Sequence, residues 1–154
     1  MKYPISGIEL LTKGLEMAKH VTVTLKNENY ETALTNGRHY LTGDEPVDLG
    51  GGDRGPAPYE LLLMSLGSCS VVTMKMYAQR KGYEIEHLEM KLTHHKETRD
   101  SDSGTSVKVD VIHKKVQLKG NFTQEQRERI LQISSMCPVH RILESAIEIK
   151  TEFA

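Results

Sequence analysis

The rhythm of apolar and polar residues changes several times along this chain, and each rhythm predicts a different element. Val21, Val23 and Leu25 alternate with threonine and lysine, which is strand spacing. Asn27, Glu28 and Asn29 then predict a turn, and Tyr30 to Thr35 a second strand. Asn36-Gly37 is a strong hairpin signal because both residues tolerate positive φ, and a third strand is expected over Arg38 to Thr42. Together these segments predict a three-stranded meander. Upstream, Ile5 to Ala18 carries helical apolar spacing.

Between Gly43 and Pro58 the glycines Gly50, Gly51, Gly52 and Gly55 and the prolines Pro46, Pro56 and Pro58 exclude regular structure. A long loop in a compact domain is often a functional one. The most apolar stretch follows, from Tyr59 to about Arg80. Leu62, Leu66, Cys69, Thr73 and Met76 repeat at helical intervals, and Leu61, Leu63, Met64, Val71 and Val72 make the other faces apolar too. Such a helix is expected to be buried on most sides. Arg80, Lys81 and Gly82 suit its C-terminal end.

Downstream, Leu88, Met90 and Leu92 alternate with polar residues, as do Val107, Val109 and Val111, with Arg99 to Gly104 as the hairpin loop. Gln124 to Ser134 reads as a helix with Thr123 as cap and Gln126 at the capping-box position. Cys137-Pro138 opens a short last helix, and Ile147, Ile149, Thr151 and Phe153 have strand spacing. This order of elements is that of an α+β chain rather than a repeating βαβ sheet.

A length of 154 residues predicts one domain, large enough to fold without a structural metal or disulfide. Twenty basic and twenty-one acidic residues nearly cancel, which removes any broad reason to expect nucleic acid or an anionic membrane as partner. The absence of tryptophan argues against a base-stacking platform. Residues Met1 to Lys19 do not read as a signal peptide, and no apolar run approaches the roughly 18 residues of a membrane span. A cytoplasmic location is the resulting expectation.

In a reducing compartment the two cysteines point to catalysis, metal binding or core packing. Cys69 lies in Gly67-Ser68-Cys69-Ser70, where small residues predict room beside the sulfur for a substrate or another chain. Burial alone would raise its pKa, so a reactive Cys69 needs a cation or a hydrogen-bond donor; the alternative is a plain core cysteine. Cys137 precedes a proline suited to the first helical turn, which makes it an N-cap facing free amides. That position lowers a thiol pKa, although a purely structural cap is an equal reading. Cys137 and His140, three apart, could share a ligand, and with Cys69 they would make an incomplete zinc set. His94 and His95 face opposite sides of a strand. No metal and no cofactor is expected on this count. As a pair, the cysteines suit a dithiol peroxidase, in which one sulfur becomes a sulfenic acid and the other closes a disulfide.

The motifs resemble those of the OsmC/Ohr family, the osmotically induced protein C and organic hydroperoxide resistance proteins, over roughly Val21 to Phe153. Asp44-Glu45-Pro46, Gly55-Pro56-Ala57-Pro58, Glu60-Leu61-Leu62, Gly67-Ser68-Cys69, Tyr77 to Gly82, and Cys137-Pro138-Val139-His140-Arg141-Ile142-Leu143 occur in family order. The resemblance implies a single OsmC-like domain over 1–154, with 1–20 an N-terminal extension. It implies an intertwined homodimer built on a long buried central helix. It also implies that Cys69 attacks a peroxide, that Cys137 resolves the intermediate, and that a cellular dithiol restores the pair. Family members use a glutamate and an arginine to activate the first cysteine. Where the best-known members have that glutamate this chain has Tyr59, with Glu60 one place later, and Arg38 and Arg54 are the arginine candidates. The expected activity is reduction of organic hydroperoxides, and of hydrogen peroxide as a further substrate, with apolar Leu66 and Met76 favouring organic ones. The rival expectation is a non-enzymatic dimer that holds a small apolar ligand.

Overall fold

Alternating β-branched residues and two polar turns build the first sheet. A computed structural model describes residues 20–100 and 104–153. In it Thr22–Leu25 (β1), Thr32–Thr35 (β2) and Tyr40–Gly43 (β3) form an antiparallel meander in the order β1-β2-β3. β3 starts two residues later than the Asn-Gly signal predicts. The Asn36 carboxamide oxygen accepts the backbone N–H groups of Arg38 and His39, so these amides are lost to the ladder and pairing resumes at Thr35–Tyr40. Arg38 therefore lies in an exposed turn, not at a strand start. The expected helix over Ile5 to Ala18 lies outside the described residues.

The loop after β3 is not wholly irregular, since Val47–Leu49 makes one 3-10 turn. Its anchor is Asp44, whose buried carboxylate accepts the backbone N–H groups of Glu45, Gly52 and Arg54. These bonds hold the Asp44 carboxyl below its usual range even though burial acts in the opposite direction. Glu31, also buried, is bonded by Lys26 and by Arg54, and its pKa is lowered by both.

Pro58–Arg80 forms the long helix α1. It ends as its sequence predicts. The Gly82 N–H reaches the Gln79 carbonyl and the Tyr83 N–H the Ala78 carbonyl, with Gly82 at φ 70°, a left-handed conformation that suits glycine. Burial around α1 is less complete than expected. Leu66, Gly67, Ser70, Thr73, Met74 and Ala78 are buried, while Tyr59, Leu62, Met64 and Val72 are exposed. The buried set recurs at three and four residues, so one stripe is covered by this chain and the other apolar faces are not. The helix also corrects the expectation drawn from uninterrupted runs. Its mean hydropathy is 1.4 over an 18-residue window, so by length and composition it matches a membrane span. Serine, threonine and glycine break the apolar run while lowering the mean only slightly.

The chain divides into two compact units, 20–65 and 66–153. The second is organised by a long hairpin, His87–Asp100 (β4) against Ser106–Lys119 (β5). Its register runs from His87–Lys119 to Asp100–Ser106. Leu88, Met90, Val116 and Leu118 share the inner face and pack on Met74, Ile130 and Ile133. Burying each of those three contributes about 1.5–3 kcal/mol. Ile130 and Ile133 come from Gln124–Ile133 (α2), which starts with the expected capping box: the Thr123 hydroxyl accepts the Gln126 N–H, and the Gln126 side chain accepts the Thr123 N–H. The last helix is Pro138–Leu143 (α3).

The expected C-terminal strand is absent among the described residues, where 146–153 have no regular structure. Ile147, Ile149 and Phe153 are exposed. Strand spacing describes a side-chain pattern, but a strand forms only when another supplies its hydrogen bonds, and this segment pairs with none of the described strands.

Candidate functional site

Proline after Cys137 fixes the local geometry from which the site is built. Pro138 occupies the first turn of α3, where a missing N–H costs nothing, and Cys137 stands before it in extended conformation as the N-cap. The Cys137 sulfur accepts the His140 backbone N–H at 3.3 Å. Ser70, one residue past Cys69 on α1, places its hydroxyl 3.4 Å from the same sulfur.

Cys69 meets Cys137 here. The Cys69 thiol lies close enough to the Cys137 thiol and to the backbone N–H of Val139 for both to act on its titration. Successive amides of one helical turn thus face the sulfurs, Val139 near Cys69 and His140 bonded to Cys137. Both thiols are free, Cys69 partly exposed and Cys137 completely enclosed. Burial pushes the Cys69 thiol up, and the neighbouring Cys137 adds to the rise; the Val139 amide and the Thr73 hydroxyl act in the opposite direction. Thr73 also donates to the Cys69 carbonyl at 2.7 Å.

Gly67 and Ser70 do not leave the room that their size predicts, whereas Ser68 is exposed. A side chain added at Gly67 would meet Leu92 at 2.8 Å, so this glycine lets the hairpin approach α1. Ser70 is buried against Cys137. Open space lies elsewhere, in a cavity of about 270 Å³ whose lining includes Leu66, Ile112, Lys114, His140, Leu143 and Glu144.

Lys114 escaped the sequence analysis. Its ammonium donates to the Ser134 carbonyl at 3.1 Å and lies 3.3 Å from His140 Nδ1, while His140 Nε2 faces Glu144 at 3.1 Å. Desolvation pushes the lysine down, opposed by its attraction to Cys137 and Glu144. It is thus a cation within electrostatic reach of Cys137. One signal could have found it: in β5 it shares the inward parity of Ile112, Val116 and Leu118, where a charge is out of place.

Glu60 and Arg54 have local partners of their own. Glu60 is exposed in the first turn of α1, where its carboxylate accepts the Ala57 N–H at 2.9 Å. Arg54 is paired with Glu31 and Glu28, each at 2.8 Å. Arg38 stays in its turn between β2 and β3.

Residues 50–152 match the family model described as OsmC-like protein. No curated protein matches the chain. Among solved structures, an OsmC-like protein from Mycoplasma pneumoniae is similar at a TM-score of 0.67 and 21% identity, covering 84% of this chain and 89% of that one. The organic hydroperoxide resistance protein OsmC from Legionella pneumophila gives 0.53 and 16%, covering 82% and 89%. An OsmC-like hydroperoxide resistance protein from Jannaschia gives 0.53 and 13%, covering 87% and 89%. At these identities the likeness is one of fold.

Proposed function

Because the chain belongs to the OsmC-like family, we propose that it is a thiol-dependent peroxidase that reduces organic hydroperoxides. The observation that carries this reading is the proximity of a partly exposed Cys69 to an enclosed Cys137 at the start of α3, fixed by Ser70, the residue after Cys69, whose hydroxyl lies 3.4 Å from the Cys137 sulfur. Hydroperoxide resistance named for similar folds supports it.

In this scheme the Cys69 thiolate attacks the distal oxygen of the hydroperoxide. An S–O bond forms as the O–O bond breaks, the alkoxide takes a proton and leaves as alcohol, and Cys69 becomes a sulfenic acid. The Val139 amide, close to Cys69, stabilises the attacking sulfur. Cys137, assisted by Lys114, then attacks the Cys69 sulfur, forming a disulfide and releasing water. A cellular dithiol reduces that disulfide and is itself oxidised. The cavity beside Lys114 suits an apolar substrate tail through Leu66, Ile112 and Leu143. Glu60, Arg38 and Arg54 remain candidates to activate Cys69. We take the protein to act in the cytoplasm as an intertwined homodimer. Exposed Leu62, Met64, Val72, Ile147, Ile149 and Phe153 support an apolar contact between copies.

One observation favours a non-enzymatic ligand-binding dimer: burial raises the Cys69 pKa, which disfavours the nucleophilic form. Cumene hydroperoxide with dithiothreitol separates the two. The enzyme consumes peroxide, and Cys69→Ser lowers the rate by about 10³-fold or more, as expected for loss of a nucleophile. Wild-type protein that leaves the peroxide intact would establish the binder.

A further inference from the structure

The outer face of the long hairpin carries three metal-ligating side chains that the sulfur chemistry does not use. His95 and Glu97 are alternate residues of β4, and His113 lies on β5. In the register Thr93 faces His113 and His95 faces Val111, so His95 and His113 are diagonal neighbours across the ladder. Their rings stack with centroids 5.1 Å apart and planes within 6° of parallel. Glu97 Oε1 lies 3.0 Å from His95 Nε2. One ligand atom from each residue lies within 4.8 Å of the other two.

We propose that His95, Glu97 and His113 form a surface site for a divalent transition cation, with zinc the best match. Two imidazoles and one carboxylate are a donor set that zinc accepts, leaving a fourth position for water. Donors in a bound zinc site sit about 2.0–2.2 Å from the ion, so the present spacing closes by side-chain rotation without moving the strands. The backbone is suited to this because the ladder is paired along fourteen residues of each strand.

The surroundings supply an outer shell. Arg99 donates to Glu97 Oε2 through Nε at 3.3 Å and through a terminal nitrogen at 3.0 Å. That leaves Oε1, the oxygen turned toward His95, as the ligand and fixes the carboxylate plane. Core packing does not explain the set. The inner face of this hairpin meets Met74, Ile130 and Ile133, whereas His95 and His113 are exposed.

Calorimetric titration of the tag-free full chain with zinc chloride tests the proposal. One zinc per chain is expected, with micromolar affinity, and with shifts of the His95 and His113 ring protons in NMR spectra. His95→Ala and His113→Ala should each weaken binding about tenfold or more, as loss of one ligand implies. Because the thiols also attract zinc, the same titration on a Cys69→Ser, Cys137→Ser chain is the control, and the binding step should persist there. Zinc uptake that survives both histidine substitutions, that disappears with the cysteines, or that is absent altogether would overturn the site.

Discussion

In the loop between β3 and α1 Asp44 and Arg54 are each met by strong polar partners. Asp44 takes three backbone amides, and Arg54 is held by Glu28 and Glu31. At the sulfur pair, a backbone amide of the same strength points at the Cys137 sulfur, which accepts hydrogen bonds weakly while it remains a thiol. The first arrangement is complete as it stands. The second becomes complete only when the sulfur acquires charge, because a thiolate takes up that donor far better. Saturated polarity thus marks a scaffold, and donors waiting on a weak acceptor mark a place for chemistry.

The sharpest test of this contrast is Cys137→Ser. The first turnover should proceed and all later ones fail, with Cys69 driven to the sulfinic acid, a gain of about 32 Da by mass spectrometry. A variant that keeps cycling would remove Cys137 from the mechanism. On the scaffold side, Asp44→Ala orphans three amides and should lower the melting temperature by roughly 5–10 °C. The same carboxylates set a pH limit. Glu31 and Asp44 titrate below their ordinary values of 4.5 and 3.8, so their contribution to stability is complete above those values. It falls away as acid passes through the lowered folded-state pKa values, and Asp44→Ala should flatten that acid limb. The smallest effect is expected from Lys114→Met, which should slow disulfide closure about fivefold while leaving the first oxidation of Cys69 unchanged. Stopped-flow fluorescence or quenched mass analysis separates the two steps, and equal slowing of both would place Lys114 outside the resolving role.

Local signals were the readable ones. Thr123 and Gln126 contain their capping box within four residues, Gly82 its helix end, and Pro138 the cap geometry of Cys137. Reading fails where a partner distant in sequence decides the outcome. The spacing of Ile147, Ile149 and Phe153 carries no information on whether a neighbouring strand exists. The contact between Cys69 and Cys137 depends on α1 and α3 converging, and the proximity of Lys114 to Cys137 on the tilt of the hairpin. Gly67 was misread for the same reason: its missing side chain is filled by Leu92, a residue of another element.

Enclosure of Cys137 has a consequence for order of events. Cys137 caps a helix N-terminus, but no solvent touches it. Access therefore decides which thiol reacts first. Whatever diffuses to this protein encounters Cys69 first, and the hidden sulfur learns of the encounter only through its neighbour, so the protein keeps its own sequence of reaction by architecture.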